Sequence, residues 1–219
     1  MLQHNGVIVR TVALVTQKGG AGKTTLAASL AVAAAESGEN VIALDLDPQA
    51  SLAAWGEDRT AEQPAIDTID SEKLGRLPAI LSALAKSGYT LAILDCPGIA
   101  STATNTAIRA ADLCLVPARP TRIDIRATKP TVQALMSLKC PYAFVLNQCP
   151  PTPRSSRASE AAAGLSMLGV LAEPMVSTRA DYQDAVAAGQ GVTEYAPQGK
   201  AAEEARQLWA WVNRRMKAK

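Results

Sequence analysis

Gln17-Lys18-Gly19-Gly20-Ala21-Gly22-Lys23-Thr24-Thr25 follows an apolar, strand-like run and opens an alanine-rich, helix-like one. Cradling a phosphate requires that context. Glycines let successive N–H groups turn toward an anion, and the helix N-terminus adds its positive dipole end. In such a loop Lys23 is expected at the β- and γ-phosphates of a nucleotide, with the Thr24 hydroxyl on Mg²⁺. The ordinary GxxxxGK[ST] spacing is not met, because Gln17 stands at the first glycine position. A second lysine, Lys18, lies beside Gly19 instead.

Outward from the loop, strand-like and helix-like runs alternate along the chain. Val7 to Thr16, Val41 to Asp45, Leu91 to Asp95, Leu113 to Val116 and Tyr142 to Leu146 read as strands, with a fainter pattern over Leu171 to Val176. Gly22 to Ser37 reads as a helix closed by Gly38, and Ser71 to Lys86 and Asp124 to Leu138 read as helical. Strands that are apolar throughout are buried on both faces, which predicts an α/β fold: a doubly wound, mostly parallel sheet with helices on either side. Cys149 to Ser156, with three prolines, is the one loop-rich stretch, so a single domain over 1–219 is expected.

Composition narrows the classes. With three Trp, four Tyr and one Phe in 219 residues, alanine and aliphatic side chains must fill the interior. No apolar run approaches the roughly 20 residues that span a bilayer, and the polar start at Met1 to Gly6 does not resemble a signal peptide. Cys96, Cys114, Cys140 and Cys149 form no CxxC pair, which suggests reduced thiols and a cytoplasmic protein. The net charge is +2, yet Lys200, Arg206, Arg214, Arg215, Lys217 and Lys219 face only Glu203 and Glu204 in the last twenty residues. A basic closing segment on a slightly acidic body hints at a polyanion partner.

The run KGGAGKTT resembles the deviant Walker A motif of the ParA/MinD family, whose extra lysine is its signature. The resemblance implies that Lys18, Gly19, Gly20, Ala21, Gly22, Lys23, Thr24 and Thr25 bind ATP. It also implies that Lys18 contacts the nucleotide of a partner subunit in a homodimer closed around ATP. Asp45-Leu46-Asp47-Pro48-Gln49 resembles the family's first switch: Asp47 would orient the attacking water, and Asp45 would lie nearer the metal's outer shell. Asp47 is also placed to cap a helix starting near Gln49. Leu91-Ala92-Ile93-Leu94-Asp95-Cys96-Pro97-Gly98 matches a Walker B strand entering the second switch. There Asp95 would hold Mg²⁺ through water, and the Gly98 amide would sense the γ-phosphate. Asn147 falls where the family reads adenine, and Pro117 to Asp124 resembles its PxxPSxxD loop, with Arg119 and Arg122 as unusual insertions.

Arg179, Gly189, Val192, Glu194-Tyr195 and Ala201-Ala202-Glu203 resemble the closing segment of small plasmid-type ParA proteins. There Arg179 and Lys200 match basic residues that bind DNA without sequence preference. With no segment ahead of the phosphate-loop strand, an operator-reading domain is not expected. The implied function is a slow, Mg²⁺-dependent, nucleoid-associated partitioning ATPase, released from DNA when a ParB-like or adaptor protein stimulates hydrolysis. Its cargo would be a plasmid, a chromosome region or a protein assembly. Two alternatives stay open. In a MinD-like regulator, the stripe Ala205, Leu208, Trp209, Val212 and Met216 would lie on a membrane. An iron–sulfur ATPase would employ Cys96.

Overall fold

In the structure, a computed structural model, residues 9–152 and 155–217 are described. Val7 and Ile8 of the expected first strand, Pro153 and Arg154 of the loop, and Lys219 lie outside them. The strands β1 (Arg10–Leu14), β2 (Val41–Asp45), β3 (Ala65–Thr68), β4 (Leu91–Asp95), β5 (Leu113–Ala118), β6 (Tyr142–Leu146) and β7 (Val170–Leu171) form one parallel sheet, ordered β3-β2-β4-β1-β5-β6-β7. Between them run α1 (Lys23–Glu36), α2 (Ser51–Glu57), α3 (Leu77–Lys86), α4 (Thr102–Ala110), α5 (Arg122–Ala127), α6 (Lys129–Ser137) and α7 (Ser156–Ser166). After β7 come α8 (Ala180–Ala187), α9 (Val192–Tyr195) and α10 (Lys200–Lys217).

Strand side chains alternate between two cores. Leu14, Val41, Ile93, Leu115 and Val145 face one that also takes in α1, Trp55 of α2, and α8 to α10. Val15, Leu44, Leu94, Val116 and Phe144 face the other, filled by α3, α4, α6 and α7. Both faces being covered explains why the central strands read as uninterrupted apolar runs.

The alanines of α1 let it lie between the sheet and α10. Trp209 Nε1 of α10 donates to Ser37 Oγ at 2.8 Å, and Arg10 Nη1 of β1 donates to Asn213 Oδ1 at 2.7 Å. At Gly191, before α9, a Cβ would fall 2.5 Å from Val32 of α1, so only glycine permits that approach. Arg59, just past α2, holds both carboxylate oxygens of Glu194 at 3.0 Å and stacks 4.7 Å from the Trp55 ring.

Three expectations change in detail. The helix expected over Asp124 to Leu138 is two helices, broken at Thr128, because Pro130 sits in the first turn of α6 and cannot continue an earlier one. The stretch from Ser71 begins as turn and 3₁₀ structure over Leu74–Arg76 before α3. Leu171 to Val176 supplies only the end of β7, with an isolated bridge from Cys149 to Ser177 extending the pairing.

The apolar stripe of α10 is covered: Leu208 is 1% exposed and Val212 0%. The face that a membrane-surface reading needs is therefore packed on the core. No described helix is long and apolar enough to cross a membrane. The four cysteines are buried and unbridged, and Cys96 is fully enclosed, out of reach of a cluster shared between subunits. Leu208→Ala should destabilise the fold by about 3 kcal/mol in chemical denaturation, while Arg215→Ala on the exposed face should change it by less than about 0.5 kcal/mol. Equal effects would mean that α10 is not docked.

Candidate functional site

The phosphate loop leaves the carboxyl end of β1 at the sheet's centre, where parallel α/β sheets bind ligands. Its backbone visits the left-handed region at Gly20 (φ 73°) and Gly22 (φ 87°). A Cβ at Gly22 would fall 2.4 Å from Asn147 Nδ2. The loop's carbonyls are tied from behind: Asn147 Nδ2 donates to Ala21 O at 2.9 Å, and Gln148 Nε2 to Gly20 O at 3.2 Å. Thr131 Oγ1 on α6 accepts from Gln17 N at 3.1 Å. Gly19 to Gly22 donate no backbone hydrogen bond among the described residues, and α1 begins with no side-chain cap. A row of free N–H groups at a positive helix end makes an anion cradle.

Lys23 is 8% exposed and belongs to that cradle. A Cβ on Gly98 would stand 3.3 Å from both Lys23 Nζ and the Gly19 amide, which puts Gly98 at the mouth of the loop. Lys18, five residues earlier, is turned aside: its Nζ lies 2.7 Å from Asp124 Oδ1.

The acids divide into distinct jobs. Thr24 Oγ1 donates to Asp95 Oδ2 at 2.6 Å, while Asp95 Oδ1 is buried with no partner among the described residues. Burial pushes the Asp95 carboxyl up to about 7, assisted by the Asp45 and Asp47 charges and opposed by the Thr24 hydrogen bond and Lys23. A sealed, orphaned carboxylate oxygen beside a threonine hydroxyl fits a hard cation. Among the described residues there is no group of three or more His, Cys, Asp or Glu that could hold a metal. A cation here would therefore take few protein ligands and complete its shell with water and phosphate, as Mg²⁺ does. Asp45, expected nearer the metal's outer shell, has both carboxylate oxygens engaged by backbone N–H groups. Its Oδ1 accepts from Asp47 N at 2.9 Å, and its Oδ2 from Leu52 N and Ala53 N at 2.9 and 3.0 Å, so it anchors the start of α2. Asp47 Oδ1 accepts from Gln49 N at 3.0 Å, which closes a turn ahead of α2 and is not the helix cap also foreseen, because α2 begins at Ser51 with no side-chain cap.

Asn147 is buried, its Oδ1 accepting from Gln148 N at 2.9 Å; one amide N–H remains for a base. Thr25 occupies the first turn of α1. The sheet thus gathers Lys18 to Thr25, Asp45, Asp47, Asp95, Gly98 and Asn147 at one end. Arg179 and Lys200 lie instead where α8 meets α10. Lys200 is exposed, but Arg179 is bound to Glu204 Oε1 through Nη2 at 2.6 Å and Nε at 3.2 Å, which leaves only its other donors for a ligand. Sequence reasoning missed Thr131 and Gln148, which brace the loop from more than a hundred residues away. No local pattern marks either one.

Residues 12–192 match the model of the CobQ/CobB/MinD/ParA nucleotide binding domain. The chain is 28% identical over 213 residues to maintenance of carboxysome distribution protein A of Halothiobacillus neapolitanus, covering 90% of this chain and 94% of that one. The protein of the same name from Gloeobacter kilaueensis is 32% identical over 201 residues, covering 90% and 88%. An ATP complex of a Cyanothece McdA variant superposes with a TM-score of 0.79 at 18% identity, over 98% of both chains, a likeness of fold.

Because the folded-state pKa of Asp95 is raised, its contribution to stability is present below about pH 4 and is lost as pH climbs toward 7. Melting of metal-free wild type and Asp95→Asn across pH 4 to 8 should show wild type losing stability relative to the variant, by at most on the order of 4 kcal/mol. Parallel profiles would place Asp95 in a wetter setting than this.

Proposed function

The chain belongs to the CobQ/CobB/MinD/ParA family of nucleotide-binding domains, and on that premise we propose that it is an ATP-hydrolysing positioning switch of ParA type. It closes as a homodimer around ATP and binds DNA without sequence preference in that state. It lets go when a cargo-bound adaptor stimulates hydrolysis. The observation that carries this reading is the divergence of two lysines in one loop, with Lys23 turned into the cradle and Lys18 turned out to Asp124. Two cations crowding one set of phosphates from the same side would repel each other. A loop that sends them in different directions is suited to two nucleotides, its own and that of a second copy.

In this reading the N–H groups from Gly19 to Thr25 and the Lys23 ammonium hold the phosphates, and Gly98 registers the γ-phosphate. Thr24 and Asp95 are the residues that would hold Mg²⁺, with Asp45 beside them adding its charge. Mg²⁺ held there would supply charge neutralisation to the phosphates. Asp47 orients the attacking water with its spare Oδ2, and Asn147 reads adenine with its remaining N–H. Lys200, Arg214 and Arg215, all exposed on α10, meet DNA together with the free side of Arg179. The relatives that this chain covers almost end to end are named for maintaining carboxysome distribution. A large protein assembly is accordingly the cargo this reading favours over a plasmid or chromosome region.

Asp47→Ala should leave ATP-dependent dimerisation in place while lowering turnover by about a hundredfold, since water orientation is lost and phosphate contacts are kept. Turnover at the wild-type rate would confine Asp47 to closing its turn. In gel retardation with random-sequence duplex DNA, the ATP form should bind and the ADP form should not. Raising salt from about 50 to 200 mM should weaken binding by orders of magnitude, and Lys200→Glu with Arg214→Glu should abolish it. DNA binding that ignores the nucleotide would overturn the switch.

A further inference from the structure

Asp124 carries a carboxylate that is 3% exposed yet has three side-chain donors on its two oxygens. Lys18 Nζ lies 2.7 Å from Oδ1, and Arg119 Nε donates to that same oxygen at 3.1 Å. The Thr121 hydroxyl makes a short hydrogen bond to Oδ2, and its oxygen caps α5 by accepting from Asp124 N at 3.1 Å. Burial alone would raise the Asp124 pKa, but the hydrogen bonds from Lys18, Thr121 and Arg119 hold it below the usual carboxylate range. Two cations therefore share one oxygen of a charge that has little water to fall back on.

We infer that Asp124 holds Lys18 in reserve and that Arg119 is the substitute counter-ion which lets Lys18 leave for the nucleotide of a second copy. The inference rests on Lys18 acting across a dimer, as proposed above. A buried carboxylate stripped of its cation is strongly destabilising, so a Lys18–Asp124 pair by itself would resist release. Arg119 removes that obstacle. It is already on Oδ1, its side chain is 37% exposed and has room to shift, and its planar fork can take both carboxylate oxygens once the ammonium has gone. While Lys18 is held, it is also kept from folding back into its own loop.

The test is an ATP titration of dimer formation, followed by light scattering, on wild type, Asp124→Asn, Arg119→Ala and the double variant. Arg119→Ala should raise the ATP concentration at half-dimerisation by about tenfold, the scale of a lost charge-assisted hydrogen bond. Asp124→Asn should lower it, because an amide holds Lys18 only weakly. In the double variant the Arg119→Ala penalty should vanish, since no carboxylate is left unpaired; a merely structural role for either residue would not produce that coupling. If Arg119→Ala dimerises as wild type does, the handover is wrong, whether or not Asp124→Asn folds. If it does so while Lys18→Ala still abolishes the dimer, the trans role of Lys18 stands without it. If Lys18→Ala dimerises normally, that role falls and takes this inference with it.

Discussion

The site depends on a run of backbone N–H groups being kept without partners among the described residues. Unpaired donors are ordinarily avoided in folded proteins, and between Gly19 and Gly22 the chain keeps them by occupying the matching carbonyls from behind. Asn147 and Gln148, at the end of β6, take up Ala21 O and Gly20 O. The positive end of α1 and the buried Lys23 ammonium add to the same field, so the cradle is set before any anion arrives. Gly22 answers the same constraint from the other side, because a side chain there would strike the Asn147 amide that does the bracing.

The acidic side of the site has a comparable division of labour. Asp95 keeps one oxygen sealed and, among the described residues, unpartnered, whereas Asp45, its register neighbour on β2, gives its carboxylate to the first turn of α2. From that anchored start α2 runs to Arg59, which grips Glu194 and stacks on Trp55. The turn that carries Asp47 is thereby joined, through one short helix, to the segment that leads into α10.

Much of this was legible in the sequence because it is written locally. The ends of β2, β4 and β6 fall where the apolar runs stop, so Asp45, Asp95 and Asn147 were placed at the carboxyl edge by pattern alone. β3 escaped notice because Ala65–Thr68 is short and half exposed, with no apolar run to mark it. What the side chains do once placed was less readable. That Asp45 serves α2, that Arg179 is bound to Glu204, and that Thr131 props Gln17 are facts about partners brought together by folding, and linear spacing carries no record of them.

The docking of α10 on α1 bears on how the protein is made. Ser37 waits for Trp209, 172 residues later, and Arg10 for Asn213, 203 residues later. During synthesis the helix that carries Lys23 and Thr24 stands with one apolar flank uncovered until α10 has been made. Contacts so distant along the chain form slowly and late, and an exposed aliphatic flank invites chaperones or misassembly in the interval. The flank of the helix that carries Lys23 and Thr24 is therefore covered only once Trp209 and Asn213 have reached it, so the phosphate loop's supporting core closes through its most distant contacts.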